Sequence, residues 1–336
     1  MSPDLARRIR YGMGTAPIGN LYREVSDDQA RETVAAAFSA GMRYFDTAPH
    51  YGFGLAERRL GAALAQCDPH GEAVVSTKVG RLLTPTGDTA RERHGFVDAL
   101  PFEPVFDYSA AAIRQSFDES RTRLGREADI LLAHDLGAMT HGSDHERHMA
   151  VFLEDGYPAL RALRDDGPVS AIGIGVNEVA VCEFLIERIQ IDAILLAGRY
   201  SLLDQSAAKN LLPRCRERGI AVILGGVYNS GILARPLAEQ DCKRYNYEAA
   251  PEAVLERARA LEAACHAHGL PLAAAALQFA HRHPAVTGVI AGLASAEEAN
   301  AMQERLDVTI PPAFWHDLAE RGLVAEPAVI DAETAR

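Results

Sequence analysis

The sequence predicts a closed (β/α)8 barrel. Eight short apolar runs recur along the chain, amphipathic helical patterns separate them, and 336 residues with 48% apolar content supply one large core. The strand candidates are Gly12–Pro17, Arg43–Thr47, Ala73–Lys78, Asp129–His134, Val169–Val176, Ala193–Ala197, Ala221–Gly226 and Val286–Ala291. Most are unbroken apolar stretches, the pattern of parallel strands buried on both faces.

The helices fall between them. The first starts at Ser26, with Gln29 three residues on in a capping-box arrangement, and ends at Gly41. Others cover Leu55–Leu64, Ser109–Leu124, Tyr157–Asp166, Val179–Ile189, Ala207–Arg218, Pro251–His268 and Ala296–Arg305. The chain is roughly 80 residues longer than a typical barrel. The surplus lies in the segment Arg81–Asp107, an extra helix near Leu272–His283 and a C-terminal helix near Pro312–Gly322. Because Arg81–Asp107 follows the third strand, it is expected to hang over the barrel mouth. With no linker, low-complexity tract or internal repeat, a single domain over residues 1–336 is expected, residues 306–336 forming a helical extension.

Charged residues are 24% and the net charge is −12, without long basic runs, which argues against a nucleic-acid or anionic-membrane partner. Cys67, Cys182, Cys215, Cys242 and Cys265 are odd in number and contain no C-x-x-C pair, as expected of reduced thiols in a cytoplasmic protein. Met1 to Arg10 carries charge with no apolar stretch behind it, so no signal peptide is expected, and no run approaches the ~18 apolar residues of a membrane span. Oligomeric state is not legible.

Four polar residues fall at or just beyond the ends of three successive strands. Asp46 and Tyr51 follow Arg43-Tyr44-Phe45, Lys78 ends the next strand, and His134 ends the one after. The C-terminal ends of barrel strands are where chemistry sits, and neighbouring strands lie ~4.8 Å apart, so the four can converge. A lysine ending an apolar strand needs a partner, and Asp46 is the obvious one. A free tyrosine titrates near pH ~10; an adjacent ammonium is expected to lower that value, and a histidine can orient a substrate oxygen. Such a set moves a proton at a hydroxyl or carbonyl oxygen while hydride moves at carbon. Singly, each residue has a plainer explanation: a turn cap, a loop aromatic, a lysine leaving for solvent, a satisfied core histidine. The joint spacing is what favours the site. His141, His145 and His148 have helix-like spacing but lie in a hydrophilic stretch expected to be a loop, and no metal is expected there. Gly173 and Gly175 lack the third glycine of a dinucleotide fingerprint. Phe314 and Trp315 are expected to dock the C-terminal helix.

This D-x4-Y spacing, followed by strand-ending Lys and His, resembles the aldo-keto reductase family. Supporting stretches are Tyr51-Gly52 with Glu57-Arg58-Arg59-Leu60-Gly61, Arg123-Leu124-Gly125, and Ile172-Gly173-Ile174-Gly175-Val176-Asn177; the resemblance runs from about Gly12 to Met302. It implies that Tyr51 donates or accepts the proton, with Lys78 and Asp46 tuning it and His134 orienting substrate. It further implies that Asn177 holds the nicotinamide carboxamide and that Gly226, Val227, Asn229 and Gly231 form the pyrophosphate loop. Gly292, Ser295 and Glu298 are the remaining cofactor candidates. Two positions depart from the family: the usual nicotinamide-supporting glutamine is Ala197 or Gly198, and the usual stacking aromatic is Gly225. The segment Ile290–Glu298 carries two glutamates and no lysine or arginine, so a 2′-phosphate meets repulsion and NAD is expected over NADP.

The wording of Gly14–Tyr22, Gly198–Leu203 and Val227–Gly231 resembles the branch of D-threo-aldose 1-dehydrogenases and pyridoxal 4-dehydrogenase-like enzymes. That implies oxidation of a cyclic hemiacetal, from a sugar such as L-fucose or L-galactose or from pyridoxal, to a lactone. Tyr22, His50, Phe102, Phe106 and Tyr228 are the candidate substrate contacts, with His94 and Phe96 in the same long segment. A different class of reading is a cofactor-sensing regulatory subunit without turnover, which would not need Lys78 beside Asp46.

Overall fold

The apolar runs pair into a closed ring of eight parallel strands in a computed structural model that describes residues 1–241, 243–246 and 248–325. The strands are β1 Tyr11–Gly14, β2 Tyr44–Asp46, β3 Val74–Val79, β4 Ile130–His134, β5 Ala171–Val176, β6 Ala193–Ala197, β7 Ala221–Gly225 and β8 Val286–Gly292. Several are shorter than the sequence suggests. Pro17 begins a 3-10 turn instead of ending β1, and Val169 and Ser170 precede the pairing of β5.

Register decides what the barrel holds. Parallel pairing runs Gly14↔Asp46↔Ser76, Lys78↔Leu132, His134↔Gly175, Ala197↔Gly225 and Gly14↔Gly292. Because side chains alternate faces, one parity points inward in every strand. The lower inward positions, including Tyr44, Val74, Ile130, Leu132, Ala171, Ala193, Leu195, Ala221, Ile223 and Ile290, form one apolar cluster. Helix α1 (Pro3–Arg8), which sequence periodicity was too short to reveal, adds Leu5 and the following Ile9 to that cluster and stops its lower end. The uppermost inward residues are Asp46, Lys78 and His134 on three neighbouring strands, but Gly175, Ala197, Gly225, Gly292 and Gly14 on the other five.

A second, larger core joins the strands to the surrounding helices. Helices α2 (Asp27–Ser39), α3 (Leu55–Cys67) and α4 (Ala110–Leu124) pack in sequence around β1 to β4. The expected capping box on α2 is half made. Ser26 Oγ accepts from Gln29 N at 3.1 Å, but the Gln29 amide donates to Ala294 O at 2.9 Å and ties α2 to the loop after β8. At Gly61 of α3 an added Cβ would lie 2.1 Å from Leu124 O, so the two helices cross there only because the side chain is missing. The extra helix is Leu272–Ala280, and the C-terminal helix Pro312–Glu320 docks through buried Phe314 and Trp315.

Two segments expected as loops are ordered. Arg81–Pro85 and Phe102–Phe106 pair as an antiparallel ribbon, with a second short pair, Glu92–Arg93 and Phe96–Val97, between them. The histidine-bearing stretch is helical over Ala138–His141 and His145–Val151, followed by a π-helical turn at Phe152–Gly156. Cys67, Cys182, Cys215 and Cys265 are free thiols; Cys242 and the end of the C-terminal extension lie outside the described residues. Among the described residues no helix is long and apolar enough to cross a membrane.

Ile9 is fully buried against the barrel floor. Ile9→Ala should therefore lower unfolding free energy by about 2–5 kcal/mol, read as an earlier urea midpoint, while the activity of the folded fraction persists.

Candidate active site

The three polar strand ends and Tyr51 do meet. Lys78 Nζ lies 2.9 and 2.8 Å from the two Asp46 oxygens and 2.8 Å from Thr47 O. Its remaining approach is to Tyr51, whose hydroxyl is 3.3 Å away. Both members of the ion pair are only 2% exposed. The stem of Lys78 crosses the space above Gly175, where an added Cβ would sit 3.2 Å from Lys78 Cε. Asp46 is held from behind as well: Ser76 Oγ donates to its Oδ1 at 2.7 Å. With that proton spent, the 2.8 Å contact between Tyr44 and Ser76 has the tyrosine as donor.

Burial pushes the Tyr51 phenol well above its usual value, the Asp46 and Asp135 carboxylates add to that, and Arg81 opposes them. The expected lowering by an adjacent ammonium is thus overturned. Lys78 is already neutralised by Asp46 at shorter distance, so burial dominates. His134 lies edge-on to Tyr51 with ring centroids 6.3 Å apart. Burial, then Arg81, Lys78 and His50, push it well below the usual histidine range, so it is neutral. Its Nδ1 is buried without a partner among the described residues, as is that of His50.

The substrate candidates divide. His50 belongs to the site, its ring 6.3 Å from His134 and 5.3 Å from Phe96. Phe96 is buried and 6.3 Å from Tyr51, and His94 is 6.0 Å from His50. Phe106 stands one layer back beneath the Arg81 guanidinium, at 4.6 Å. Phe102 pairs with Pro85 at the outer end of the ribbon. Tyr22 is at the rim under Arg244, 4.5 Å from ring centre to guanidinium. Tyr228 is part of the outer core, and its hydroxyl accepts from Arg305 at 3.1 Å.

Sequence reasoning missed Arg81 and Asp135, which form an ion pair beside His134. Their signal is register. Lys78 faces Leu132 and the pairing ends at Val79↔Ala133, so Arg81 and Asp135 each lie two residues past its end, with opposite charges.

Of the cofactor candidates, Asn177, Gly226 and Asn229 line one cleft with Ala197, Gly198 and Arg199. The loop from Gly226 has left-handed backbone at Gly226, Asn229, Ser230 and Gly231, and closes on itself through Asn229 N–H to Gly226 O at 2.8 Å and Gly231 N–H to Tyr228 O at 3.0 Å. Asn229 Oδ1 accepts from Ser201 at 2.5 Å, while its buried Nδ2 has no partner among the described residues. A Cβ at Gly225 would make only ordinary contacts of 3.5–3.7 Å, so the floor there is open. An orphaned amide, a left-handed loop and an open small-residue floor fit a dinucleotide. Val227 is buried in the core, leaving only its main chain to the loop. Ser295 and Glu298 cap a helix: Ser295 Oγ accepts from Glu298 N, and Glu298 Oε2 accepts from Ala294 N at 2.7 Å. Gly292 is exposed at the end of β8. Glu298 also has Arg23 at 3.9 Å, a cation that the local segment does not contain. Around His141 and His148, whose rings are 4.2 Å apart, and elsewhere among the described residues, no three metal-ligating side chains are placed to share an ion.

Comparison with known proteins agrees with this geometry. The model of the aldo/keto reductase family matches residues 10–321. The chain is 40% identical over 325 residues to a pyridoxal 4-dehydrogenase of Microbacterium luteolum and 39% identical to a D-threo-aldose 1-dehydrogenase of a Pseudomonas species, covering 94% of each chain in both cases. It is 29% identical to an L-galactose dehydrogenase of Arabidopsis thaliana, over 85% of this chain and 81% of that one. Among solved structures, the glycerol dehydrogenase of Gluconobacter oxydans superposes with a TM-score of 0.71 at 21% identity, covering 93% of this chain and 91% of the other. At that identity the likeness concerns the fold. The chain belongs to the aldo/keto reductase family and is an oxidoreductase of carbonyl and CH–OH groups.

The neutral buried histidines set a pH dependence. Burial holds His50 and His134 well below 6.5, and His141 and His281 at about 4. Below pH ~6.5 the unfolded chain binds protons that the folded chain refuses, so stability falls as pH drops from there toward 4. Melting temperatures between pH 8 and 4 should show this loss, and His134→Asn should make it shallower.

Proposed function

We propose that this aldo/keto reductase oxidises the anomeric hydroxyl of an aldose such as L-fucose or L-galactose to the lactone, with NAD as cofactor. The observation that carries the reading is the convergence of Asp46, Lys78, Tyr51 and His134, with the Tyr51 hydroxyl 3.3 Å from Lys78 Nζ. The D-threo-aldose and L-galactose dehydrogenases among its relatives support the substrate class. Pyridoxal is the second reading, favoured by the 40% identical pyridoxal 4-dehydrogenase, and its cyclic hemiacetal undergoes the same change.

Bound NAD would supply the acceptor for the two-electron hydride lost from C1. As the C1–O bond becomes a carbonyl, the hydroxyl proton passes to the deprotonated Tyr51 oxygen. Neutral His134 orients the reacting oxygen through an imidazole nitrogen. Lys78 and Asp46 hold the phenol's position, and Phe96 with the ribbon from Arg81 to Phe106 limits water access. Asn177 and the Gly226–Gly231 loop would hold the dinucleotide. With Glu298 capping the helix after β8 and lying beside Arg23, Glu297 is the carboxylate left to oppose a 2′-phosphate, which favours NAD over NADP.

Because burial keeps the phenol protonated, oxidation draws on a phenolate fraction that grows about tenfold per pH unit below its pKa. Oxidation should accelerate from pH 6 to 9, while reduction of the lactone or an aldehyde should not; oxidation that is flat or falling over that range counts against Tyr51 as base. Tyr51→Phe should cut kcat by at least about 1,000-fold while leaving NADH binding, followed by fluorescence, unchanged. A panel of L-fucose, L-galactose, D-arabinose and pyridoxal with NAD and NADP, read as reduced-cofactor absorbance, tests the assignment. Turnover on pyridoxal alone selects the second reading, and a higher kcat/KM with NADP rejects the cofactor preference.

A further inference from the structure

Arg81 is not one of the four residues that move the proton, yet it is built into their pocket. It follows Gly80 at the end of β3 and is only 9% exposed. One guanidinium nitrogen pairs with Asp135 Oδ2, which also lies 3.5 Å from His134 Nε2. The plane rests over Phe106, 4.6 Å from its centre. Its Nε is buried with no partner among the described residues. The charge bears on Tyr51, His50 and His134 alike, which puts it within electrostatic reach of the reacting oxygen.

A buried ion pair adds little net stability, because desolvating two charges offsets their attraction. The ribbon that Arg81 begins already has backbone pairing from Arg81↔Phe106 to Pro85↔Phe102. The ribbon thus has backbone pairing of its own, to which the Arg81 guanidinium adds only its stack on Phe106. What Arg81 adds to the pocket is an arrangement suited to hydroxyl groups. A planar donor fork and a carboxylate lie side by side, able to donate to one oxygen and accept from its neighbour. The orphaned Nδ1 atoms of His50 and His134 and the Phe96 ring lie on the tetrad side. Vicinal hydroxyls on a ring, with an apolar C–H face, match that set of groups.

We propose that Arg81 and Asp135 form a hydroxyl-reading subsite beside the tetrad, which selects polyhydroxylated hemiacetals over simple aldehydes. The inference rests on the hemiacetal oxidation proposed above. Arg81 is a specificity-determining residue in this scheme, and Asp135 fixes its fork.

The test compares substrates with and without hydroxyls in the same protein. Wild type, Arg81→Met and Arg81→Lys are assayed for NAD-dependent oxidation of L-galactose and for NADH-dependent reduction of benzaldehyde, and NADH affinity is measured by fluorescence. Arg81→Met should lower kcat/KM for the sugar about 100-fold, mostly through KM. Benzaldehyde reduction, which shares the charge effect on Tyr51 and His134, should fall at least tenfold less than sugar oxidation, NADH affinity should stay within about threefold, and Arg81→Lys should recover part of the loss. An equal fall on both substrates, or none on the sugar, overturns the inference. If wild type is inert toward every sugar, the aldose reading fails on its own. The same ratio is then taken for pyridoxal oxidation against benzaldehyde reduction, and a ratio unchanged by Arg81→Met overturns the subsite.

Discussion

The site depends on placing a lysine ammonium inside the top of the barrel. Lys78 and Asp46 are each 2% exposed, and an unpaired charge at that depth would cost several kcal/mol. The surrounding structure offsets that cost piece by piece. Asp46 presents both oxygens, Thr47 turns its carbonyl inward, and Gly175 gives up a side chain so that the lysine stem can pass. Tyr44 and Ser76 continue the chain of donors behind Asp46. Once those contacts are made, Lys78 has one direction left, and Tyr51 stands in it. The position of the reacting phenol follows from how the lysine is satisfied.

The same arrangement explains why the top of the barrel is divided. Three neighbouring strands end in Asp46, Lys78 and His134, and the other five end inward in glycine or alanine. A polar half faces a half nearly free of side chains, so a flat ligand can lie across the small residues with its reactive edge at Tyr51. Several stretches that make the chain recognisable do no chemistry at all. Glu57, fully buried, accepts from Thr77 and from Arg123, joining β3, α3 and α4. Arg59 ties α3 to Ile18 and Asn20. These residues fix the helices that fix the strands, and the tetrad inherits their precision.

The barrel and the tetrad were legible in the sequence for one reason: in a parallel barrel, both the apolar runs and the chemistry are set by position along single strands. Asp46, Lys78 and His134 could be picked out because each ends such a run. What depended on pairing between distant segments was not legible. The ribbon of Arg81–Pro85 with Phe102–Phe106 reads as a loop because neither half is apolar enough to announce a strand. It also decides which aromatic reaches the site, bringing Phe96 over Tyr51 and leaving Phe102 at the ribbon's outer end. The hydrogen bond from Arg305 to the Tyr228 hydroxyl joins residues 77 apart in the chain and is equally invisible in the sequence. The proton affinity of Tyr51 is not legible in the sequence, because a pairwise argument from Lys78 leaves out burial and two carboxylates. The stretch from His141 to His148 reads as a loop because polar residues dominate it, and the side chains that anchor the helix, Met149 and Phe152, lie just beyond it.

The two positions at which the family resemblance departs lie together. Ala197, which precedes Gly198, is the register partner of Gly225 on β6 and β7, so small residues leave one patch of the floor bare. The patch is not closed by sterics, since a Cβ at Gly225 would meet nothing nearer than 3.5 Å. Support arrives instead from two residues further along. Arg199 Nε donates to Asn177 O at 2.6 Å, and Nη1 is held by Asp204 at 3.2 Å and Asn246 at 3.1 Å. A glutamine on the strand would touch a ligand through its own amide. An arginine just beyond the strand steadies the main chain of Asn177 while leaving the floor bare. The loop residue Asn246, which holds that arginine, thereby becomes part of the support, so this half of the pocket is braced from its rim where the tetrad half is braced from beneath.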